Sequence, residues 1–456
     1  MISMKKWYDT QDTIAAIATP PGEGGVAIIR ISGALALDVA NRIFSKNVLA
    51  LESHRAAYGK IVHRGEIIDH VLLLPMHAPK SYTGETVVEI NCHGGRMAQK
   101  VLDCTFEAGA RPAEPGEFTY RAFLNGKIDL AQAEAVQSMI GAKNDMALEA
   151  SKQQLEGALS KKVQNFQKRL ADAAAILEAW VDFPEEGLEF ASTDEMLDLL
   201  STVRDDMQRL HATFRDGQII KEGISCCLIG APNVGKSSLM NLLLGKERAI
   251  VTNQPGTTRD VLEDQLHLGP LQLRLIDTAG IRMTDEAIEQ EGVRRSHKTL
   301  ESSDVIFLVC DSTRALNQEE IDLIKNVNPE KTVLIWNKND LTPIKQDRTP
   351  LTHQVKMSAK TGIGLDELKA KVLDLIWING MPDKDQIVLT NKRHFTALGS
   401  AIENICTLME GLKSQISCEF LASDMRACLL NLSHICGTDV TEDILSSIFS
   451  KFCVGK

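Results

Sequence analysis

No apolar run in this chain approaches the ~18 residues that a membrane-spanning helix needs. Nor does an apolar stretch long enough for an export signal follow Lys5 and Lys6. A membrane or secreted protein is therefore not expected, and a reducing cytoplasm is. None of the ten cysteines lies in a CxxC or in paired metal-ligand spacing, which argues against a zinc site or a disulfide framework. Cys226, Cys227 and Cys310 fall inside apolar, strand-like runs and are expected simply to pack. Excess positive charge is also missing: 50 Lys and Arg against 61 Asp and Glu leave a net charge of −11. Any RNA contact must rely on a local basic patch. There is no heptad register and no low-complexity segment. The 456 residues, 44% hydrophobic, fit a globular chain of about three domains.

Proline is absent from Leu130 to Phe183 and again after Pro382. In both stretches Ala, Leu, Glu, Gln and Lys recur at helical spacing, and Pro184 stops the first. Before them, from about Thr13 to Phe123, short alternating runs such as Gly25–Ile31 and Thr86–Ile90 are broken by Gly and Pro, as in an α+β domain. The predicted organisation is multidomain α/β. An N-terminal α+β domain covers 1–125, and a helical domain is built from two segments, 126–216 and 381–456. Between those segments a Ras-like P-loop domain is inserted at 217–380. The two helical pieces are expected to pack on each other.

Three ordered motifs define the inserted domain. Gly230-Ala231-Pro232-Asn233-Val234-Gly235-Lys236-Ser237 is a phosphate loop between a predicted strand, Ile224–Ile229, and a predicted helix, Ser237–Leu244. Its glycines let backbone N–H groups face phosphates, with Val234, Gly235 and Ser238 part of the cradle. Lys236 should reach the β- and γ-phosphates, and the Ser237 hydroxyl should ligate Mg²⁺. Asp277-Thr278-Ala279-Gly280 ends a second strand, Leu271–Ile276, delivering Asp277 to the metal and Gly280 to the γ-phosphate. Asn337-Lys338-Asn339-Asp340 ends a third, Lys331–Trp336. There the Asp340 carboxylate can accept two hydrogen bonds from a guanine edge. Ser358-Ala359-Lys360 closes the base pocket. The Gly/Pro/Thr-rich stretch Thr252–Asp260 suits a first switch, with Thr258 as second Mg²⁺ ligand. Ile281 occupies the place where Ras-like enzymes put a water-orienting glutamine, so another group must position the water.

Further blocks resemble a known family. They are Asp12–Gly22, Arg30-Ile31-Ser32-Gly33, Tyr82-Thr83-Gly84-Glu85, Cys92-His93-Gly94-Gly95 and Pro115-Gly116-Glu117-Phe118. To these add Arg121–Lys127, Asp129–Ala135 and the terminal Phe452-Cys453-Val454-Gly455-Lys456. Together they resemble, over essentially the whole chain, the bacterial MnmE (TrmE) family of tRNA-modification GTPases.

The resemblance implies an N-terminal domain that binds a 5-formyl- or 5,10-methylene-tetrahydrofolate and forms a homodimer. It implies work with an FAD-dependent MnmG-type partner on the wobble uridine of certain tRNAs. Arg30, Glu89 and Lys127 correspond to folate-contacting residues, with Lys456 nearby. A potassium ion is implied at Asn233, with Thr252, Gln254 and Thr257, supplying positive charge at the phosphates as an arginine finger would. The water-orienting glutamate aligns with Glu289, although Glu286 is close enough to be confused with it. Cys453, in a tail expected to be mobile, is either a participant in the modification chemistry, as nucleophile or proton donor, or a bystander. A GTP-gated RNA-binding protein of ribosome assembly is the alternative, since such GTPases share the Asn233-type loop.

Overall fold

The structure, a computed structural model, describes residues 11–182, 192–247, 265–268, 271–275, 303–343, 349–377, 380–383 and 385–456. It divides into two compact units. One comprises Met1–Ile140, Ser151–Gln208 and Thr396–Lys456; the other comprises Gly141–Ala150 and Arg209–Phe395.

In the first unit the strands are β1 (Ile14–Ile17), β2 (Ala27–Ser32), β3 (Ala57–His63), β4 (Glu66–Met76), β5 (Val87–Cys92) and β6 (Arg111–Pro112). Their order is β3-β4-β5-β2-β1-β6, antiparallel except for the β1–β6 pair. The alternation anticipated around residues 25–31 and 86–90 has a direct cause. Ile29, Ile31, Val88 and Ile90 turn inward to a core shared with Val39 and Ile43 of helix Ala36–Ile43 and Val101 of helix Arg96–Glu107. Arg30 and Glu89 turn the other way.

Helical segments from before and after the second unit's Arg209–Phe395 complete this unit. In helix Ala158–Asp182, Leu159, Val163, Phe166, Leu170, Ala173 and Leu177 form the buried stripe at three- and four-residue steps. Helix Cys418–Cys436 packs antiparallel along it. The Gln167 amide donates to Ser433 Oγ at 3.0 Å, and Arg426 pairs with Glu178 at 2.8 Å. The helical domain is thus built from two chain segments.

The second unit holds β7 (Ile224–Ile229), β8 (Gln265–Leu268), β9 (Leu271–Leu275), β10 (Val305–Asp311), β11 (Thr332–Asn337) and β12 (Gln354–Lys356), in the order β12-β11-β10-β7-β9-β8. All neighbours are parallel except β8 with β9. Every residue of β10 is buried. Val305, Phe307 and Val309 enter one core, whereas Ile306, Leu308 and Cys310 enter another. A parallel sheet covered on both faces needs such an unbroken apolar run. The cysteines expected to pack do so. Burial pushes the Cys310 thiol up to about 12 and raises those of Cys226 and Cys227. No helix among the described residues is long and apolar enough to cross a membrane.

Candidate functional site

The loops that follow β7, β10, β11 and β12 lie at the carboxyl ends of parallel strands, where open α/β sheets bind ligands. After β7 the chain turns through Asn233 (φ 62°) and Gly235 (φ 100°) into helix Lys236–Glu247. A side chain on Gly235 would collide with Asn337 Nδ2, so glycine is required there. Lys236 Nζ donates to the carbonyls of Gly230 at 2.8 Å and Ala231 at 2.9 Å, folding the loop around its own lysine. The first turn of the helix carries no acidic residue, which leaves its positive end available to an anion. Asn233, Ser237 and Ser238 are exposed, while Val234 is buried.

Asn337 has a role that the sequence did not suggest. Buried at the end of β11, it donates from Nδ2 to Val234 O at 2.8 Å and accepts at Oδ1 from the Ala359 N–H at 2.9 Å. One side chain therefore ties the phosphate loop to the Ser358–Lys360 loop. Asn337→Ala is expected to strip both partners of a buried bond and to cost about 1–3 kcal/mol for each group left unpaired. Thermal unfolding, with and without GDP, measures this. An unchanged midpoint would mean that the two loops hold without the bridge.

Lys338 sits at φ 64° and pairs with Asp311 Oδ2 at 2.6 Å. Asp311 also accepts from the Thr313 N–H and hydroxyl. Burial would raise its pKa, but these bonds prevail and hold it below the ordinary carboxylate range. Asp311 and Thr313 escaped the sequence reading because only their place at the end of an apolar run marks them. Asp340 is exposed, and a hydrogen bond from the Ser358 side chain holds its carboxyl low, with Lys360 adding a smaller effect. Thr252, Gln254, Thr257, Thr258, Asp277, Thr278, Ala279, Gly280, Ile281, Glu286 and Glu289 lie outside the described residues.

In the other unit Arg30 and Glu89 are direct cross-strand partners on β2 and β5. Arg30 Nε and Nη2 reach Glu89 Oε1 at 2.9 and 2.8 Å, and each side chain is 17% exposed. The guanidinium lies 5.6 Å from the Tyr82 ring centroid and 5.7 Å from that of Phe118, within cation–π range. Lys127 Nζ donates to Pro79 O at 3.2 Å, on the segment that leads to Tyr82.

The C-terminal tail, expected to be mobile, is instead pinned here. Arg30 Nη1 donates to Gly455 O at 3.4 Å, the Gly116 N–H to Cys453 O at 3.4 Å, and the Gln137 amide to Lys451 O at 3.0 Å. Phe452 is buried against Phe449, whose ring meets Tyr120 edge-on at 5.2 Å. Gly455, at φ 91°, packs so closely on Ile17 O that no side chain would fit. The Cys453 side chain is exposed, and Lys456 is half-buried.

The same unit holds a charged cluster that was not anticipated. Arg121, 1% exposed, donates to Asp12, Glu85 and Glu117, and Arg111 binds Asp12 and Glu117. Removing one member of a buried ion pair costs about 3–5 kcal/mol. Arg121→Ala is therefore expected to unfold the N-terminal sheet at lower denaturant, measurable by urea titration. An unshifted midpoint would show the cluster to be dispensable.

A glycine turn between strand and helix, tied by Asn337 to the Ser358–Lys360 loop on a mostly parallel sheet covered on both faces, has the architecture of a P-loop nucleotide-binding domain. Comparison with known proteins narrows the class. The family model for the MnmE helical domain matches residues 130–453, and that for the GTP-binding protein TrmE N-terminus matches 13–127. The tRNA modification GTPase MnmE of Protochlamydia amoebophila is 54% identical over 451 residues, covering 98% of each chain. Those of Chlamydia pneumoniae and Clostridioides difficile are 44% and 41% identical, each covering 98% of this chain and 99% of theirs. The chain belongs to the MnmE family of tRNA modification GTPases.

Proposed function

We propose that this cytoplasmic protein is a potassium-stimulated GTPase that works as a homodimer with an FAD-dependent partner of the MnmG type. The pair adds an aminomethyl or carboxymethylaminomethyl group to C5 of the wobble uridine of certain tRNAs, drawing the one-carbon unit from a tetrahydrofolate derivative.

In the GTPase half, residues 233–238 and Lys236 in particular cradle the phosphates, and Asp340 reads guanine while Ser358–Lys360 line the base. Ser237 and Thr258 are assigned to Mg²⁺, with Asp277 delivered to the metal and Gly280 to the γ-phosphate. Thr252, Gln254 and Thr257 join Asn233 around K⁺, which supplies transition-state charge in place of an arginine finger. Glu289 orients the water. The chemistry of the groups on hand suits these ligands: an acid-free helix N-terminus, an exposed Ser237 hydroxyl and an exposed Asn233 amide. Turnover is expected to be several-fold faster in potassium than in matched sodium buffer, with specific activity rising with protein concentration as GTPase domains pair. Equal rates at all concentrations would remove the ion from the mechanism.

In the N-terminal half, Arg30, Glu89, Lys127 and Lys456 are assigned to the folate. Carboxylates of a glutamate tail suit the cations, and the pterin amino edge suits Glu89. The observation that most supports this reading is the seating of Gly455, two residues from Cys453, on the Arg30–Glu89 pair. Cys453, whose side chain is exposed, is assigned the role of nucleophile or proton donor. Arg30→Ala is expected to abolish binding of 5-formyltetrahydrofolate, read by calorimetry, with the circular-dichroism spectrum unchanged. Full binding by a folded variant would place the folate elsewhere.

A further inference from the structure

The chain is acidic overall, yet residues 158–171 hold Lys161, Lys162, Lys168 and Arg169 and no Asp or Glu. The buried stripe of helix Ala158–Asp182 sets its rotation, leaving Lys161, Gln164, Asn165 and Lys168 exposed on the outer side. Lys162 rests its ammonium 5.5 Å from the Phe166 ring centroid. Three arginines on helices of this unit are paired instead: Arg169 with Asp206 at 2.6 Å, Arg204 with Asp205 at 2.7 Å and Arg426 with Glu178 at 2.8 Å. Among the described residues, no ion pair joins Lys161, Lys162 or Lys168 to a carboxylate.

We propose that this face of helix Ala158–Asp182 grips the phosphate backbone of the tRNA. The proposal rests on tRNA being the substrate, and it supplies the local basic patch that an acidic chain needs for RNA contact. Lys161 and Lys168 stand two turns apart, ~10.5 Å along the axis. The Gln164 and Asn165 amides between them can donate to phosphate oxygens and 2′-hydroxyls. Charge and amides without an aromatic or large aliphatic anchor suit a nucleic-acid backbone better than a protein surface, whose binding energy comes from such anchors. The contact is sequence-independent, so it positions the tRNA and leaves the choice of base to the modification site.

The test is filter binding of an unmodified tRNA transcript to the full chain across a salt series. The triple variant Lys161→Gln, Lys162→Gln, Lys168→Gln is expected to bind about tenfold more weakly at low salt. Its slope of log affinity against log salt should be shallower by about 2, as three phosphate contacts are lost. Arginine at the same three positions should retain binding, and GTP turnover without tRNA should be unchanged in both variants. Wild-type affinity and slope in the glutamine variant would overturn the proposal while leaving tRNA as substrate. That outcome with lost binding of the FAD-dependent partner would assign the face to a protein. Absence of any salt-dependent tRNA binding by the wild type would instead remove direct tRNA contact by this chain, and the proposal with it.

Discussion

Asp340→Asn is expected to weaken GTP binding by about a hundredfold or more and to strengthen binding of xanthosine triphosphate by a similar factor. On the proposed assignment the carboxylate would accept from two donors on the guanine edge, and hydrogen bonds to a charged group are among the stronger ones. Losing both would lower the affinity by about two orders of magnitude or more. An asparagine presents one acceptor and one NH₂, which mismatches guanine but suits the extra carbonyl of xanthine. The hydrogen bond from Ser358 keeps Asp340 ionised well below neutral pH, so its contribution to GTP affinity should be flat from about pH 8 down to pH 5. A carboxyl held below its ordinary value loses its charge only as pH falls through that lowered value. Competition against a fluorescent guanine nucleotide measures both effects. Unchanged GTP affinity in the variant would show that the base is read by another group.

Glu289→Ala is expected to lower the turnover number by about 10²–10³ while sparing GTP affinity. That is the pattern for a group that acts on the attacking water rather than on the bound nucleotide. The family resemblance assigns that role to Glu289, and Ile281 leaves it vacant, because an aliphatic side chain cannot hold a water where Ras-like enzymes use glutamine. Single-turnover hydrolysis and nucleotide titration separate the two quantities. If Glu286→Ala loses hydrolysis and Glu289→Ala does not, the water is held by Glu286 instead. If neither does, it is held from outside this segment.

Sequence read locally was sufficient wherever function depends on neighbours in the chain. The strand Ile224–Ile229 has the bounds anticipated, and the helix after the phosphate loop runs Lys236–Glu247 around the expected Ser237–Leu244. Both follow from an apolar run, a glycine turn and a helix start within some twenty positions. What escaped was long-range. Asn337 reaches across 103 positions to Val234, and Arg30 reaches across 425 to Gly455. No periodicity encodes such distances, so the tail seemed free and Asn337 seemed only one member of a nucleotide motif. Arg121 and Glu117 escaped for another reason. Charged residues are expected outside, and only their mutual pairing makes complete burial tolerable. Residues 158–171 lie between these cases: their charge is plain in the sequence, but only the buried stripe Leu159–Leu170 tells which lysines face outward.

The most direct measurement joins the two halves of the protein in one assay. Tetrahydrofolate carrying a labelled one-carbon unit is incubated with tRNA, the FAD-dependent partner and either wild type or Asp340→Asn. Label in the wobble uridine is then followed with GTP, with xanthosine triphosphate and with a non-hydrolysable GTP analogue. The expected result is transfer by wild type with GTP alone and by the variant with xanthosine triphosphate alone. Label transfer that ignores the nucleotide would contradict a GTPase cycle that drives folate-dependent tRNA modification.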